Sequence, residues 1–253
     1  MEIKIQNLIN QIDEKQKQLN SLRPLPTELV KNLNEWFKIE QTYCSNAIEG
    51  NTITKSETAL IVEKGITVSG KSLKEHLEIK NYAFAIDYIK TLSKKTKNNI
   101  TLKIIKELHF LILKGIDDAN AGTWRKVEVK SLGSDTKLPD PIKIPDLMQE
   151  FINWLHQTNI HPALVAIDVH YKLVKIHPFI DGNGRIARLL MNLLLLQADF
   201  PTIIIDPKDK PEYISGMQEV DKSNDFTKYH LFMLKNLEKS IDIYLNAALK
   251  TIK

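Results

Sequence analysis

A chain of 253 residues with 43% hydrophobic and 26% charged side chains has the balance of an ordinary soluble globular protein, long enough for one large domain or two small ones. Its net charge of +4 comes from lysines scattered among acids, which gives no basis for nucleic-acid binding. The lone cysteine, Cys44, excludes an intrachain disulfide and fits a reducing compartment. Met1–Asn7 has no apolar core of the signal-peptide kind. No run reaches the roughly 18 apolar residues of a membrane span; the longest, Leu189–Leu196, is interrupted by Asn192. A cytoplasmic location, without membrane or nucleic acid as partners, is expected.

Ile5, Leu8, Ile9, Ile12, Leu19 and Leu22 recur at helical spacing, with a gap at Lys15–Gln16. That is an amphipathic helix, ended by Pro24 and Pro26. Thr27 is placed to cap a second helix with Leu29, Leu33, Trp36 and Phe37 on one side, running to the stop at Gly50-Asn51. A short helix opens at Ser56 and closes at Gly65. A longer one spans Ser72 to Leu92, with Leu77, Ala83, Phe84 and Tyr88 as its apolar face. After the polar linker Lys94–Asn99, Thr101 caps a helix bearing Leu102, Ile105, Leu108, Leu111 and Ile112.

Arg125–Lys130 then alternates apolar with charged residues, the period of a half-exposed strand. Turn-like Leu132–Asp135 follows, and Pro139 and Pro141 limit a second strand, so a short hairpin or flap is expected. Helical periodicity returns over 144–157, 161–176, 185–197, 211–221 and 227–248. The predicted fold class is all-α, a helical bundle with one short β-hairpin flap. The short stretch beyond Asp225 leaves no room for an appended winged-helix module, so direct regulation of DNA is not expected.

The chemistry concentrates in His177-Pro178-Phe179-Ile180-Asp181-Gly182-Asn183-Gly184-Arg185-Ile186-Ala187-Arg188. Gly182-Asn183-Gly184 stands directly before a helix. Glycines let successive N–H groups converge on an anion, and the helix start adds unpaired donors. Arg185 and Arg188, three apart, supply guanidinium forks suited to phosphate oxygens. A bare Asp181 carboxylate would repel phosphates, a conflict that Mg²⁺ resolves because it takes one or two carboxylates together with substrate phosphates. His177 is a candidate base for an attacking hydroxyl.

This stretch resembles the full signature of the Fic (Fic/Doc) family of all-α proteins. The resemblance implies adenylylation, the transfer of AMP from ATP to a Ser, Thr or Tyr hydroxyl of a target protein. By position, His177 would be the general base and Asp181 the Mg²⁺ ligand. Gly182, Asn183 and Gly184 would form the phosphate nest, and Arg185 and Arg188 would contact the outer phosphates. Ser45-Asn46-Ala47-Ile48-Glu49-Gly50 is similar to the family's inhibitory motif. It lies upstream, as in the subclass whose inhibitory helix (here about 42–50) is N-terminal to the core.

In that likeness Ser45 and Glu49 are inhibitory, with Glu49 pairing with Arg188. Residues 1–95 would form an N-terminal helical region and 96–253 the catalytic core. The Arg125–Asp135 region would clamp the target protein by strand-like pairing, with Ser131, Leu132, Gly133 and Ser134 facing the nucleotide. Tyr213 stands where a tyrosine beside adenine is common, and equally suits core packing; Ile214 and Asp221 depart from the family pattern. ATP as co-substrate, Mg²⁺, a target protein and room for a homodimer follow from the resemblance. Removal of AMP, transfer of another phosphate-containing group, and ATP sensing without catalysis stay open as alternatives.

Overall fold

Helix 183–197 carries the long apolar run Leu189–Leu196, broken only by Asn192, and such a helix has to be enclosed by others. The computed structural model, which describes residues 2–129 and 138–252, encloses it. Its α-helices are α1 (Glu2–Ser21), α2 (Thr27–Ile48), α3 (Lys55–Lys64), α4 (Leu73–Leu92), α5 (Leu102–Leu113), α6 (Ile144–Gln157), α7 (Pro162–Ile176), α8 (Asn183–Gln197), α9 (Lys210–Ser223) and α10 (Thr227–Ile252). Helices α7, α4, α5 and α2 pack around α8, while α1 lies along α10. Ile186, Leu189, Leu190, Met191 and Leu193 of α8 are all inaccessible to solvent. Each buried leucine of this kind stabilises by about 1.5–3 kcal/mol. The start of α8 is thereby fixed in the middle of the bundle.

The helix boundaries follow local chemistry. Thr54 with Glu57 and Ser72 with Glu75 form reciprocal capping boxes at α3 and α4, each satisfying two orphan N–H groups. Helix α3 therefore opens at Lys55, one residue before the expected Ser56. The N-cap of α2 is Pro26, and no side chain caps it; Thr27 is already inside the helix. The gap in the α1 stripe has a purpose. Gln16 is buried and donates from Nε2 to the Asp199 carbonyl at 2.6 Å, while Lys15 pairs with Glu238 and Asp242 of α10. Phe84 and Trp36, expected on buried faces, are 63% and 41% exposed. Of the expected face of α4 Ala83 is buried, together with Ile79, Tyr82, Ile86 and Ile89.

The strand expected from Arg125 is absent among the described residues, where 125–129 is irregular. Burial does not follow the alternation: Arg125 is buried at 2% exposure, while Lys126, Val127 and Glu128 are all exposed, Val127 at 55%. Arg125 consumes carbonyls that a strand ladder would use: Nε donates to His177 O (2.7 Å), Nη1 to Val127 O (3.1 Å) and Nη2 to Pro139 O (2.6 Å). The remainder of the expected hairpin, including Ser131, Leu132, Gly133 and Ser134, lies outside the described residues.

Candidate active site

His177 ends α7 in the left-handed region, at φ 51° and ψ 58°. A histidine there is uncommon and needs support. Support comes from its own N–H donating to Leu173 O at 2.9 Å and from Arg125 on its carbonyl. The ring Nδ1 lies 3.2 Å from Val174 O. A carbonyl only accepts, so Nδ1 carries the proton and Nε2 presents a lone pair. Burial lowers the imidazole below its ordinary pKa, because the charged form loses hydration. At neutral pH His177 is an unprotonated base.

The loop between His177 and α8 is closed by its own side chains. Asn183 Oδ1 accepts from Phe179 N–H (2.9 Å) and its Nδ2 donates to Phe179 O (2.8 Å). The Asn183 side chain is thus spent on the loop, and only its backbone N–H remains for an anion. Phe179 is fully buried, stacked on His109 with ring centroids 3.6 Å apart. His109 accepts at Nδ1 from Gly122 N–H (2.8 Å) and reaches Asp181 O from Nε2 (3.0 Å). Gly182 has φ 79°, and a Cβ there would stand 2.8 Å from Ile112 Cδ1. Only glycine fits.

The first backbone bond of α8 is Ile186 N–H to Gly182 O, at 2.9 Å. The N–H groups of residues 183–185 therefore have no acceptor within the helix, and they carry its positive end. Asp181 accepts from Gly182 N–H at 2.6 Å and from Arg185 Nη2 at 3.1 Å. Burial would raise its carboxyl, but the Arg185 charge and the Gly182 N–H outweigh this and hold it below the usual range. Arg185 also faces Glu78 at 3.4 Å, and its buried Nε has no hydrogen-bond partner. An unpaired guanidinium N–H beside a helix start suits a phosphate oxygen.

The end of α2 reaches across this cradle. Glu49 caps α2 and offers Oε1 to Arg188 Nη2 at 2.6 Å. An acid at a helix C-terminus opposes the dipole; Arg188 compensates. Lys210 Nζ donates to Ile48 O at 2.6 Å. Ser45 accepts from Arg188 twice, through Oγ (2.8 Å) and its carbonyl (3.0 Å). A Cβ on Gly184 would lie only 2.5 Å from Glu49 Oε1. The carboxylate of Glu49 therefore rests on the first turn of α8, where an anion would be received.

A cavity of about 230 Å³ opens beside this pair, lined among others by His177, Asp181, Gly182, Gly184, Arg188 and Glu49. Val174, Ile214 and Met217 add apolar lining, and Lys175 and Asp221, paired at 2.6 Å, line it as well. Tyr213 also lines it, yet is 2% exposed, with its hydroxyl 2.7 Å from His170 Nε2. Sequence reasoning brought together His177, Asp181, Gly182, Gly184, Arg185, Arg188, Ser45 and Glu49. It missed His109, Arg125, Glu78 and His170, isolated polar residues on otherwise apolar or mixed faces. Only the position of His109, between Leu108 and Phe110 on a strongly apolar helix, offered a hint.

Among the described residues, no group of three or more His, Cys, Asp or Glu is placed to hold a metal by itself. Asp181, charged and half exposed, fits the alternative in which a divalent cation arrives with phosphates, since Mg²⁺ commonly takes one or two carboxylates plus phosphate oxygens.

Fold and site define an all-α protein with a neutral histidine beside a helix start whose first N–H groups have no acceptor within the helix. Residues 99–195 match the Fic/DOC family. A solved Fic domain containing signaling protein from Bacteroides thetaiotaomicron superposes with a TM-score of 0.87 at 30% identity, over 96% of this chain and 98% of that one. Fic-1 from C. elegans gives a TM-score of 0.90 at 28% identity, over 100% of this chain and 74% of that one. The protein adenylyltransferase Fic of Drosophila virilis is 37% identical over 237 residues, 92% of this chain and 48% of the relative. The chain spans about half the length of the curated relatives it matches. The chain belongs to the Fic/DOC family.

Proposed function

We propose that this protein is a protein adenylyltransferase, restrained by Glu49, that moves AMP from ATP to a hydroxyl side chain of a target protein. One juxtaposition carries the proposal: the cavity that receives the start of α8 and Arg188 is also lined by His177, whose Nε2 has a free lone pair. The relatives named as adenylyltransferases support ATP and AMP as the species handled.

In this mechanism His177 Nε2 takes the proton of the target hydroxyl as its oxygen bonds to the α-phosphorus. The bond from that phosphorus to the bridging oxygen breaks, and pyrophosphate leaves. The first-turn N–H groups of α8 hold the phosphates, and Arg185 and Arg188 hold the outer ones. Their charges and dipoles are fixed before reaction, which is where such sites gain most of their rate. Mg²⁺, held through Asp181, would neutralise charge around the breaking bond. The apolar wall of Val174, Ile214 and Met217 would receive the base, and Asp221 and Lys175 its polar rim. With Glu49 on Arg188, the outermost phosphate loses its ligand and ATP cannot take the reactive pose.

Residues 1–95 would supply the restraint and 96–253 the catalytic core, with the segment after Arg125 as the target clamp. No described helix is long and apolar enough to cross a membrane, and a single buried cysteine suits the cytoplasm. The test incubates wild type, Glu49→Gly and His177→Ala with ATP labelled at the α-phosphate. Label should enter wild type weakly, Glu49→Gly strongly and His177→Ala not at all. Equal labelling of all three would end the proposal.

A further inference from the structure

His109 of α5 is inaccessible to solvent, and the mechanism above gives it no part. Its ring lies face to face with Phe179, centroids 3.6 Å apart and planes 8° from parallel. Trp124 also packs on Phe179, at 4.8 Å between centroids. A buried imidazole is costly unless both nitrogens are hydrogen-bonded, and here both are. Nδ1 lies 2.8 Å from Gly122 N, and Nε2 lies 3.0 Å from Asp181 O.

These two partners fix which nitrogen carries the proton. A backbone N–H only donates, so Nδ1 accepts from Gly122 and is bare. A carbonyl only accepts, so Nε2 carries the hydrogen and donates to Asp181 O. That carbonyl and the N–H of Gly182 belong to one planar peptide unit. The N–H of the same unit donates to Asp181 Oδ1 at 2.6 Å. The unit is thus held at its oxygen by His109 and at its nitrogen by the carboxylate it orients. Arg185 Nη2 donates to the other carboxylate oxygen at 3.1 Å.

The grip matters because the residue that follows is glycine. Gly182 stands at φ 79°, and a glycine adopts negative φ about as readily, so residue 182 by itself would let the unit turn over. Turned over, its N–H would face Nε2–H, donor against donor, and would abandon Asp181 Oδ1. His109 cannot adapt by moving its proton, because Nδ1 is taken by the Gly122 N–H. Gly122 is itself confined: at φ 73° a Cβ would stand 3.2 Å from Lys106 O.

We propose that His109 is a positioning residue that holds the Asp181–Gly182 peptide in one orientation, and so aims the Asp181 carboxylate at the cation that arrives with the phosphates. The proposal rests on the reading of Asp181 as the Mg²⁺ ligand given above. His109 acts through Asp181 and touches neither nucleotide nor metal. Groups that orient a metal ligand from behind carry about 10- to 100-fold in metal affinity. The consequence is selective: ATP binding with Mg²⁺ should depend on His109, and binding of metal-free ATP should not.

The experiment measures ATP dissociation constants by calorimetry, in Mg²⁺ or in EDTA, on Glu49→Gly/His177→Ala protein, in which Arg188 is released and the base is gone. His109→Phe keeps a ring against Phe179 and deletes both nitrogens. Added to this protein, it should lower affinity in Mg²⁺ about tenfold and leave affinity in EDTA within about twofold. Equal loss in both would show a packing defect and overturn the positioning role, as would no loss in Mg²⁺. His109→Gln, which restores an N–H donor for the carbonyl, should recover most of the loss; a glutamine no better than phenylalanine would overturn the role too. Asp181→Ala should itself abolish the Mg²⁺ effect, and adding His109→Phe should then change nothing further. A further loss would show that His109 does not act through Asp181. If Mg²⁺ strengthens ATP binding equally with and without Asp181, the metal reading fails, and the positioning role with it.

Discussion

The two sides of the candidate cavity are held together by different means. On the α7–α8 side the contacts that close the loop are local, with Arg125 on His177 O and His109 at Asp181 O added from other segments. His177 meets Val174 three residues back, and Asn183 closes on Phe179 and Arg185 on Asp181 across four. On the α2 side they are remote: Glu49 and Ser45 lie 139 and 143 residues from Arg188, and Lys210 lies 162 from Ile48. The local side is built when the loop folds and has no reason to come apart while α8 stays buried. The remote side is a docking of one helix end against another. In the function proposed above, its withdrawal would free Arg188 while His177 and the start of α8 keep their own supports.

Breaking the local side at its chemical centre should have the largest effect. In a Glu49→Gly background, His177→Ala should cut label incorporation by roughly 10²- to 10⁴-fold while calorimetric ATP affinity is retained. Loss of affinity together with rate would mean that His177 holds the loop instead of acting as base. Releasing the remote side should have a smaller effect of opposite sign. A hydrogen bond between charged partners is worth about 1.5–3 kcal/mol, and the 39% exposure of Glu49 puts the pair at the low end through solvent screening. Glu49→Gly should therefore raise labelling about tenfold, and a rate no higher than wild type would show that the α2 side restrains nothing.

Gly182→Ala probes the local side through stability. A positive φ and a Cβ 2.8 Å from Ile112 should cost about 1–3 kcal/mol in urea unfolding; an unchanged midpoint would show that the loop can rearrange. The smallest effect concerns pH. Because burial holds His177 below its ordinary value, lowering the pH from 8 to 7 leaves it neutral, and the labelling rate of Glu49→Gly should change less than about twofold. The rate should fall only as pH drops below about 6.5 and through the folded-state value. A decline already complete at pH 7 would assign the base a raised pKa.

The helices were legible because their signals repeat. Apolar spacing and the glycine stops each report on neighbours a few residues away; the Thr54/Glu57 and Ser72/Glu75 boxes are equally local signals that went unread. The central stretch was legible for the same reason, since His177, Asp181 and the α8 start are contiguous. Glu49 was reached only through likeness to a family, as nothing local in a helix-terminal acid points 139 residues ahead. Arg125 misled: the alternation that begins there reads as a half-exposed strand, whereas its guanidinium is buried on three carbonyls. His170 and Tyr229 left no readable trace, and His109 only its place on an apolar helix. Each is a single polar group whose partners come from distant segments, and such pairings have no period.

Arg125 also has a consequence for how the chain can change. By holding Val127 O and Pro139 O at once, it pins both roots of the intervening span, and through His177 O it pins them to the base. The entropy of closing a loop grows only logarithmically, about 0.6 kcal/mol for each doubling of length. Whatever the sequence between Val127 and Pro139, one side chain ties both of these anchors to each other and to His177.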